Sequence, residues 1–398
     1  MKQRVPFYYN EFVCITSECK DNCCIGGWEI DIDDETYERY NNMTGELKHK
    51  ILDSITQNED EEYCFKLCDG KCPMLDDNGL CEIHKNLGED YLGVVCKQFP
   101  RYSEYYGTIK ESGIGLACEE AARIILSENR PFSMETAACD EEYEPSSEYD
   151  SSFALQIFAA REAVFKILAK ESLSIHEKLI VILDMGSKIQ QCINTDEYDN
   201  IKSVVNDYLK EGIAHTLDET RNLSDSGQFE DISLQQGIRQ ILYPYEEMEV
   251  LNPEWEVILK DIIDSLFEQM SDEEYNILNE EFGTYMVSRA YEYRQLLEYL
   301  VFRYFAKSIY DYDFLGKCQM LVTNFFVIRQ MDIIRWLDNH REYSFKDRMD
   351  VVHIFSRQVE YSEDNIENLY EDFIFDDIFK TDSLIAILWI VERLGFWR

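Results

Sequence analysis

The sequence predicts a mainly α-helical protein, in which a cysteine-rich metal-binding N-terminal domain with little regular structure is followed by an all-α helical domain. Ten of its 13 cysteines lie between Cys14 and Cys118. Turn-forming residues are frequent in the same part of the chain, whereas apolar residues recur at helical spacing from Phe153 onward. The uneven distribution of cysteines and the change in periodicity indicate two unlike regions.

The boundaries between these regions follow from composition. The chain has 398 residues, and 45% of them are hydrophobic, which suffices for two domains with their own cores. Residues 140–152 are acidic, carry Pro and Ser, and contain few aliphatic side chains, as in a linker. We therefore predict a cysteine-rich domain over residues 1–128, an acidic linker over 129–152 and an α-helical domain over 153–398.

Short elements are expected in the N-terminal region. Residues 28–33 alternate in polarity, which indicates a short strand or the approach to a helix. Asp34 is placed to cap a helix over 35–43, and residues 119–126 have the pattern of another short helix. Residues 64–81 are rich in Gly, Asp and other turn formers, so they are predicted to form loops and turns.

Helical spacing dominates the second half of the chain. The predicted helices cover residues 153–168, 175–194, 198–210, 254–270, 284–309, 314–340, 346–361 and 382–396. Residues 216–231 are predicted to form a polar loop, and Pro244 and Pro253 are predicted to lie between helices. Such a succession of amphipathic segments is typical of an all-α domain.

The net charge restricts the possible partners. Asp and Glu number 79 against 38 Lys and Arg, which gives a formal net charge of −41. Binding to a phosphate backbone requires a basic footprint, so we expect no nucleic-acid partner. The charge instead suits a heavily solvated surface, or a surface that attracts a cationic partner.

A cytoplasmic protein without a transmembrane segment is expected. The first residues lack the apolar run of a signal peptide. The most apolar long stretch, residues 314–337, is interrupted by the charges of Lys317, Arg329, Asp332 and Arg335. In a reducing compartment, cysteines are more often metal ligands or free thiols than disulfides.

Cysteines among turn residues are candidate metal ligands. Thiolates are soft ligands for zinc and iron, and short loops allow several of them to converge. A cysteine directly before a helix, such as Cys118, also gains from the positive helix N-terminus, which favours the thiolate. Cys192 and Cys318 lie within helical patterns and are expected to be buried thiols, whereas Cys64 and Cys68 are either ligands or packing residues.

The cysteines and their neighbours form short motifs between residues 12 and 123. These motifs are Phe12-Val13-Cys14 with Cys19 and Cys23-Cys24, Trp28-x-Ile30, Cys72-Pro73-x-Leu75, Cys81-x-Ile83-His84-Lys85-x-Leu87-Gly88, Cys96-x-x-Phe99-Pro100-Arg101 and Cys118-x-x-Ala121-Ala122-Arg123. Together they resemble the flagellin lysine-N-methylase family. The N-terminal part is also similar to a wider zinc- or iron-chelating cysteine-rich module.

The second half of the chain extends this resemblance. Ser356-Arg357, Glu360-Tyr361-Ser362 and Asn365 follow a Ser-Arg, Glu-His-Ser and Asn pattern of the family. Tyr361 stands where the family pattern has histidine, so a role of that imidazole does not carry over.

The resemblance implies an S-adenosylmethionine-dependent protein-lysine N-methyltransferase that acts on flagellin or a related lysine-bearing surface protein. It also implies an iron–sulfur cluster of the 4Fe–4S type, with zinc as the alternative metal. By motif position, the ligand role carries over to Cys14, Cys19, Cys23, Cys24, Cys72, Cys81, Cys96 and Cys118. A single cluster or zinc ion takes four protein ligands, so either two sites exist or some of these cysteines are structural.

Two other functions stay open at this point. The chain could be a non-enzymatic zinc- or iron–sulfur-binding protein, or a zinc-stabilised scaffold whose acidic helical half is a docking surface. A closed apolar pocket next to the cysteines would distinguish an enzyme from a scaffold, because only the enzyme needs space for a cofactor.

The sequence identifies no catalytic base and no cofactor-binding residue. Cys19 and Cys23 have the first spacing of the radical motif Cys-x3-Cys-x2-Cys, but the third position is Gly26, which departs from that arrangement. Direct methyl transfer to a neutral amine needs no radical. His84, between two cysteines, is either a ligand or polar surface.

Three features have both a structural and a functional interpretation. Residues 113–115 form a Gly-x-Gly sequence that is predicted to be an ordinary turn rather than a cofactor loop. Arg357 and Glu360 either form a local ion pair or face the cysteine-rich domain as part of a site. Tyrosines at helical spacing, including Tyr299 and Tyr304, are expected to pack between helices rather than to surround a methyl sulfonium.

Overall fold

The structure is a computed structural model and consists mainly of helices. It describes residues 1–20, 23–25, 30–58, 61–139, 150–225 and 232–394. A mainly helical fold with small sheets in the N-terminal part confirms the predicted fold class. Within the described residues, no helix is long and apolar enough to cross a membrane.

Two small sheets lie in the N-terminal part of the chain. Their strands are β1 (Lys2–Pro6), β2 (Ile55–Gln57), β3 (Tyr63–Phe65), β4 (Arg101–Tyr106), β5 (Ile109–Ile114) and β6 (Met134–Ala138). The larger sheet has the order β4-β5-β1-β6, in which β1 runs parallel to β5 and antiparallel to β6. Strands β2 and β3 form a separate antiparallel hairpin.

The helices of the N-terminal part are short. They are α1 (Asp34–Asn42), α2 (Glu46–Asp53), α3 (Glu82–Leu87), α4 (Val94–Gln98) and α5 (Glu119–Leu126). The predicted helix after Asp34 is present, but Asp33 rather than Asp34 caps it, because the Asp33 carboxylate accepts a hydrogen bond from the Thr36 amide at 2.9 Å. The predicted helix over residues 119–126 is confirmed.

The cysteine module comprises Cys23, Cys24 and residues 30–98 as far as they are described. It has its own apolar cluster, in which Ile30, Ile32 and Ile51 pack with Tyr40, Phe65, Cys72, Met74 and Ile83. The predicted strand over 28–33 begins outside the described residues. Its second part does pair with β3, since the Ile32 amide donates to the Tyr63 carbonyl at 2.7 Å.

The second half of the chain is helical throughout its described part. Its helices are α6 (Ser151–Leu168), α7 (Ile175–Asn194), α8 (Ile201–Asp207), α9 (Ile213–Asp225), α10 (Leu234–Glu246), α11 (Pro253–Ile262), α12 (Asp272–Met286), α13 (Ala290–Tyr304), α14 (Ser308–Asp311), α15 (Phe314–Asp338), α16 (Phe345–Val359), α17 (Glu363–Phe375) and α18 (Thr381–Arg393). Two π-helical segments, Tyr208–Gly212 and Ile263–Glu268, continue α8 and α11.

Two predictions for this half were wrong. The polar loop expected over 216–231 is helical as far as Asp225, because the polar Thr216 and Thr220 are buried on one face of α9. The Trp389 indole donates to the Thr220 hydroxyl at 3.0 Å, so this buried face is satisfied by hydrogen bonds. Pro244 lies inside α10 rather than between helices.

Helix α15 is buried along most of its length. The charges that interrupt its apolar sequence have partners inside the protein. Lys317 pairs with Asp311 at 2.7 Å, and the Arg329 guanidinium donates to the Asn279 carbonyl at 3.0 Å. Asp332 accepts from Arg348 of α16 at 2.6 Å. The helix is therefore an internal element that other helices surround.

The main apolar core extends across the predicted domain boundary. Tyr8, Phe12, Ile114 and Leu116 belong to the same buried cluster as the helices of the second half. A buried ion pair reinforces this contact, because the Arg161 guanidinium of α6 donates to both Glu111 oxygens at 2.6 Å. Strand β6 lies within the predicted linker, although residues 140–149 are outside the described part. The division at residues 128 and 153 stays a prediction.

Candidate active site between the cysteine module and the helices

Five cysteines of the cysteine module form a thiol cluster, namely Cys23, Cys24, Cys72, Cys81 and Cys96. The Cys24 thiol hydrogen-bonds with the thiols of Cys23 and Cys72. The backbone joins the same loops, since the Cys72 amide donates to the Cys24 carbonyl at 2.8 Å. The hydrogen bond from Cys24 lowers the pKa of Cys23 to about 7 and also lowers the pKa of Cys72.

Two short helices hold the other thiols of this cluster. Cys81 directly precedes α3, and Cys96 lies within α4. Burial raises the pKa of both thiols, and raises that of Cys96 to about 12. Cys72 and Cys23 act electrostatically on both and raise their pKa further, which places all of these sulfur atoms within interaction range of one another.

Cys118, at the start of α5, lies near the thiol cluster, and Cys14 lies near Cys118. Cys23 and Cys14 both lie close enough to Cys118 for their charges to raise its pKa. Cys118 caps α5 as predicted, and the amides of Glu120 and Ala121 stabilise its thiolate. The helix amides thus favour the thiolate as expected, but burial outweighs them and raises the pKa of Cys118 to about 11.

The remaining cysteines are placed differently. The Cys19 thiol contacts the Glu119 carboxylate at 3.5 Å. Cys64 is buried in β3, whereas Cys68 is exposed. Cys318 is fully buried in α15, and its sulfur packs against Gly186, as expected for a packing thiol. His84 has an exposed side chain, and Gly26 lies outside the described residues.

The chemistry of this donor set fits a thiolate-ligated metal or cluster. The thiols come from loops and helix starts that converge, and thiolates are the usual ligands of iron–sulfur clusters and structural zinc. In the described part of the chain, no group of three His, Cys, Asp or Glu side chains has an arrangement that could hold a metal ion. The assignment of the eight cysteines as ligands stays a prediction.

A second polar group lies between the N-terminal sheet and the helices. This interface cluster consists of Tyr102, Tyr299, Arg303, Tyr304 and Glu360. One oxygen of Glu360, Oε2, accepts hydrogen bonds from the hydroxyls of Tyr299 at 2.8 Å and Tyr304 at 2.9 Å. It also pairs with Arg303 Nε at 2.9 Å. The Glu360 side chain has no exposed surface.

Aromatic rings surround the positive charge of Arg303. Its guanidinium lies 4.4 Å from the ring centre of Tyr102, 5.5 Å from that of Tyr304 and 5.8 Å from that of Tyr361. Burial raises the pKa of Tyr299 and Tyr304 well above the usual value. Both hydroxyls therefore stay protonated and can donate to Glu360. The tyrosines expected to pack between helices thus also carry polar contacts.

Arg357 and Glu360 both face the N-terminal part of the chain. Glu360 pairs with Arg303 of α13, and the charge of Arg357 acts on the Cys23 thiol and on Tyr361. The interpretation of these two residues as part of a site next to the cysteines is therefore the one that the geometry favours. Tyr361 also lies close to Cys118, whose charge acts on its hydroxyl.

Sequence reasoning missed Arg303 and Tyr102 as members of this cluster. Their sequence positions give no local signal, because Tyr102 lies in a strand and Arg303 in the last turn of an amphipathic helix. Only the packing of β4 against α13 brings them together. A largely covered arginine paired with a buried glutamate is a three-dimensional signal that periodicity does not reveal.

Two surface cavities lie elsewhere in the described structure. One, of about 310 Å³, is in the cysteine module and is lined by Tyr37, Asn41, Leu52, Ile55, Thr56, Gln57 and Tyr63. The other, of about 360 Å³, is lined by Asp150, Ser152, Phe153, Asp196, Glu197, Tyr198, Asp199 and Asn200. None of the eight candidate ligands lines either cavity, so neither cavity is the pocket that would distinguish an enzyme from a scaffold.

Comparison with known proteins places the helical half in a family. Residues 161–387 match the model of the FliB lysine N-methylase C-terminal domain. The chain belongs to the FliB lysine N-methylase family. The range shared with FliB proteins includes α13 and α16, and therefore Arg303, Arg357 and Glu360. The cysteine module lies outside this range.

Individual FliB-type relatives match a shorter segment. The lysine-N-methylases of Salmonella typhimurium and Salmonella choleraesuis are both 32% identical to this chain over 129 residues, which is 31% of this chain and 32% of each relative. The chain thus matches about a third of the length of these relatives. The flagellar biosynthetic protein FliU of Salmonella muenchen is 32% identical over 129 residues, which is 76% of that protein. No solved structure matches the chain.

Proposed function

We propose that this chain is a protein-lysine N-methyltransferase, which transfers a methyl group from S-adenosylmethionine to the ε-amine of a lysine in flagellin or a related surface protein. The family match over residues 161–387 carries this proposal. The names of the relatives, lysine-N-methylase and flagellar biosynthetic protein FliU, support the reaction and the flagellar substrate.

The chemistry requires a place that binds an amine and keeps water away from it. A lysine amine attacks only when it is neutral, and its usual pKa of about 10.4 must be overcome by its surroundings. Buried positive charges favour the neutral amine, because they repel an ammonium group. Arg303, whose side chain is 13% exposed, supplies such a charge in the interface cluster, and the buried Arg357 supplies another beside Tyr361. Both lie within the family-matched range.

We also propose that the cysteine-rich region holds an iron–sulfur cluster of the 4Fe–4S type, with zinc as the alternative. The converging thiols Cys23, Cys24, Cys72, Cys81 and Cys96 would supply its ligands, with Cys14, Cys19 and Cys118 as further candidates. The group would supply a redox-active or Lewis-acidic centre beside the helices.

The charge of the chain suits a lysine-bearing protein partner. A net charge of −41 attracts cationic side chains through the field of the whole molecule. All 13 cysteines are free thiols, which suits the reducing cytoplasm that we propose as its location.

Methyl transfer to flagellin tests the proposed function. Protein purified without oxygen is mixed with flagellin and S-adenosylmethionine carrying a labelled methyl group. We expect methyl-lysine in flagellin by mass spectrometry, with turnover that rises from pH 7 towards pH 9 as the neutral amine becomes more abundant.

Two matched variants control this assay. Cys72→Ala removes a candidate ligand and is expected to abolish transfer, whereas Cys318→Ala changes a packing thiol far along the chain and should retain most of it. If folded, metal-loaded protein transfers no methyl group to flagellin, the methyltransferase proposal is wrong and a non-enzymatic metal-binding function replaces it.

A further inference from the structure

The second oxygen of Glu360 is a buried acceptor. Glu360 Oε2 receives the hydrogen bonds of Tyr299 and Tyr304 and the ion pair with Arg303. Glu360 Oε1 is also buried, but no described residue donates a hydrogen bond to it. A buried carboxylate oxygen without a donor is costly, so such an atom calls for an explanation such as a ligand.

The charges around Glu360 select the kind of donor that fits Oε1. Arg303, whose side chain is 13% exposed, already balances the carboxylate. Arg357, one turn earlier near the end of α16, is buried with 4% of its surface exposed, and its charge acts on the adjacent Tyr361. A further ammonium group would add a third positive charge to this buried place. A neutral amine donates the same N–H hydrogen bond without that electrostatic cost.

The aromatic neighbours match the carbon chain of a lysine. The carboxylate of Glu360 is surrounded by the rings of Tyr102, Tyr299 and Tyr304. The hydroxyl of Tyr102 is buried, and it neither donates nor accepts a hydrogen bond among the described residues. Methylene groups pack well on such rings, and the hydroxyl of Tyr102 offers a second polar contact.

Glu360 lies close to both the protein surface and the candidate thiol ligands. Tyr361 follows Glu360, and 37% of its surface is exposed. Its hydroxyl lies against Gly115, where an added methyl carbon would come within 2.9 Å. Cys118 acts electrostatically on the same hydroxyl. A side chain that enters past Tyr361 would therefore reach Glu360 from the side of the candidate metal ligands.

We propose that Glu360 Oε1 binds the neutral ε-amine of the substrate lysine, and that the interface cluster is the acceptor-lysine site. This inference rests on the proposed lysine methylation. The amine loses its proton to water before it binds. Its nitrogen then forms a bond to the methyl carbon while the sulfur–carbon bond of the donor breaks, and the sulfur leaves as a neutral thioether. The methylated nitrogen becomes positively charged and releases a proton to water as the product leaves.

Glu360→Gln tests this site with little change in shape. Its amide oxygen can still accept from Tyr299 and Tyr304, but its amide nitrogen donates and cannot accept from an amine. The matched control is Glu111→Gln, which neutralises another buried carboxylate whose cationic partners are Arg161 and Arg4 rather than Arg303. Circular dichroism and thermal unfolding of both variants show whether each has folded.

Kinetics and binding are then measured on both folded variants. We expect Glu360→Gln to raise the KM for flagellin at least tenfold and to leave the KM for S-adenosylmethionine unchanged. Fluorescence anisotropy with a labelled lysine-containing flagellin segment, without methyl donor, should show tighter binding to the unmodified protein as pH rises from 7 to 9. The Glu360→Gln variant should bind at least tenfold more weakly and lose this pH dependence.

The outcomes separate the acceptor site from the proposed function. If Glu360→Gln binds flagellin and turns over as Glu111→Gln does, the acceptor site is wrong. If the unmodified protein transfers no methyl group but Glu360→Gln alone loses binding, the methyltransferase proposal fails and the amine site stands. If binding of the flagellin segment does not depend on pH in the unmodified protein, the neutral amine is not the bound species and the inference is overturned.

Discussion

Gly115 illustrates how single residues shape the interface cluster. Its amide donates to the Pro100 carbonyl at 2.8 Å, and its α-carbon faces Tyr361 and Arg303. An added methyl carbon would lie 2.9 Å from the Tyr361 hydroxyl and 3.3 Å from the Arg303 guanidinium. The ordinary turn predicted over residues 113–115 was wrong, because Gly113 and Ile114 are the last residues of β5. The close approach of Gly115 to distant segments leaves no trace in local spacing.

Replacing Gly115 with alanine should therefore disturb the cluster. We expect Gly115→Ala to lower the free energy of unfolding by about 1–3 kcal/mol, as overpacked sites do. Urea unfolding measures this change. Gly93→Ala is the control, because the added carbon there meets only ordinary contacts of 3.7 Å or more, and it should change stability by less than about 0.5 kcal/mol. Equal effects of the two changes would contradict the close contact at Gly115.

Glu298 makes stability depend on pH. It lies on α13, hydrogen-bonded to Arg294 at 2.7 and 2.9 Å, and burial raises its pKa to about 7. Lys178 and Tyr8 also face it electrostatically. A raised pKa means that the folded state holds the proton of Glu298 more tightly than the unfolded state does. Protonation of Glu298 therefore stabilises the folded state at low pH. This stabilisation is lost as pH rises from about 4.5 to about 7.

We expect the free energy of unfolding to fall by about 3 kcal/mol over that whole window because of Glu298. The measurable part lies between about pH 5.5 and 8, above the sequence pI of about 4.4. Urea unfolding of Glu298→Gln in this range should show a flatter pH dependence than the unmodified protein. Glu367→Gln, on an exposed position of α17, should leave the pH dependence unchanged. Parallel curves for Glu298→Gln and the unmodified protein would rule out this source.

At the scale of elements, α15 and α16 are joined by a buried ionic network. Arg348 of α16 donates to Asp332 of α15 at 2.6 Å and to Glu292 of α13 at 3.2 Å. The hydroxyls of Tyr293 and Tyr343 also donate to Asp332. Helical spacing in the sequence predicted both helices within a few residues, but it could not show that their charged residues face inward and bond to each other.

Removing one partner from this network should be costly. We expect Arg348→Met to destabilise the protein by about 3–5 kcal/mol, because Asp332 stays buried without its cation. The double variant with Asp332→Asn should be more stable than the sum of the two single changes predicts. Thermal and urea unfolding of the four proteins measure this coupling. If the effects of the two single changes simply add, the Arg348–Asp332 pair contributes little to holding α16 in place.

At the scale of the whole molecule, the sequence predicted the type of each region better than its limits. Cysteine clustering and helical periodicity were sufficient for the fold class. They could not show that β1, β4 and β5 pack on the helices, since strand pairing over more than a hundred residues is a long-range property. Helix α9 was not predicted for a similar reason, because its buried face carries the polar residues Thr216 and Thr220, whose burial depends on distant segments. The candidate ligands came from the resemblance of the cysteine motifs to a known family, whereas the interface cluster required the packed structure.

This architecture predicts which residues become sensitive to protease when the proposed metal is absent. The cysteine module has a small core of its own, so we expect its folding to be coupled to binding of the proposed metal centre. Chelation or Cys72→Ala should therefore expose residues 30–98 to protease. Residues 101–126 and the helices should resist, because they share the main core. Mass spectrometry of the first cleavage products measures this, and early cuts within α5 or α13 would contradict the coupling of metal to the module alone.

The metal content of the protein tests the central claim, that its first 120 or so residues build a thiolate-ligated centre beside the helices. Protein purified without oxygen is analysed for iron, zinc and acid-labile sulfide, together with its visible absorption spectrum. We predict brown protein in which iron and sulfide are present in equal amounts, the loss of both in Cys72→Ala, and their retention in Cys318→Ala. Colourless protein with one bound zinc ion would show that the metal is zinc rather than an iron–sulfur cluster. Protein without bound metal, or with equal metal content in the two variants, would contradict the account.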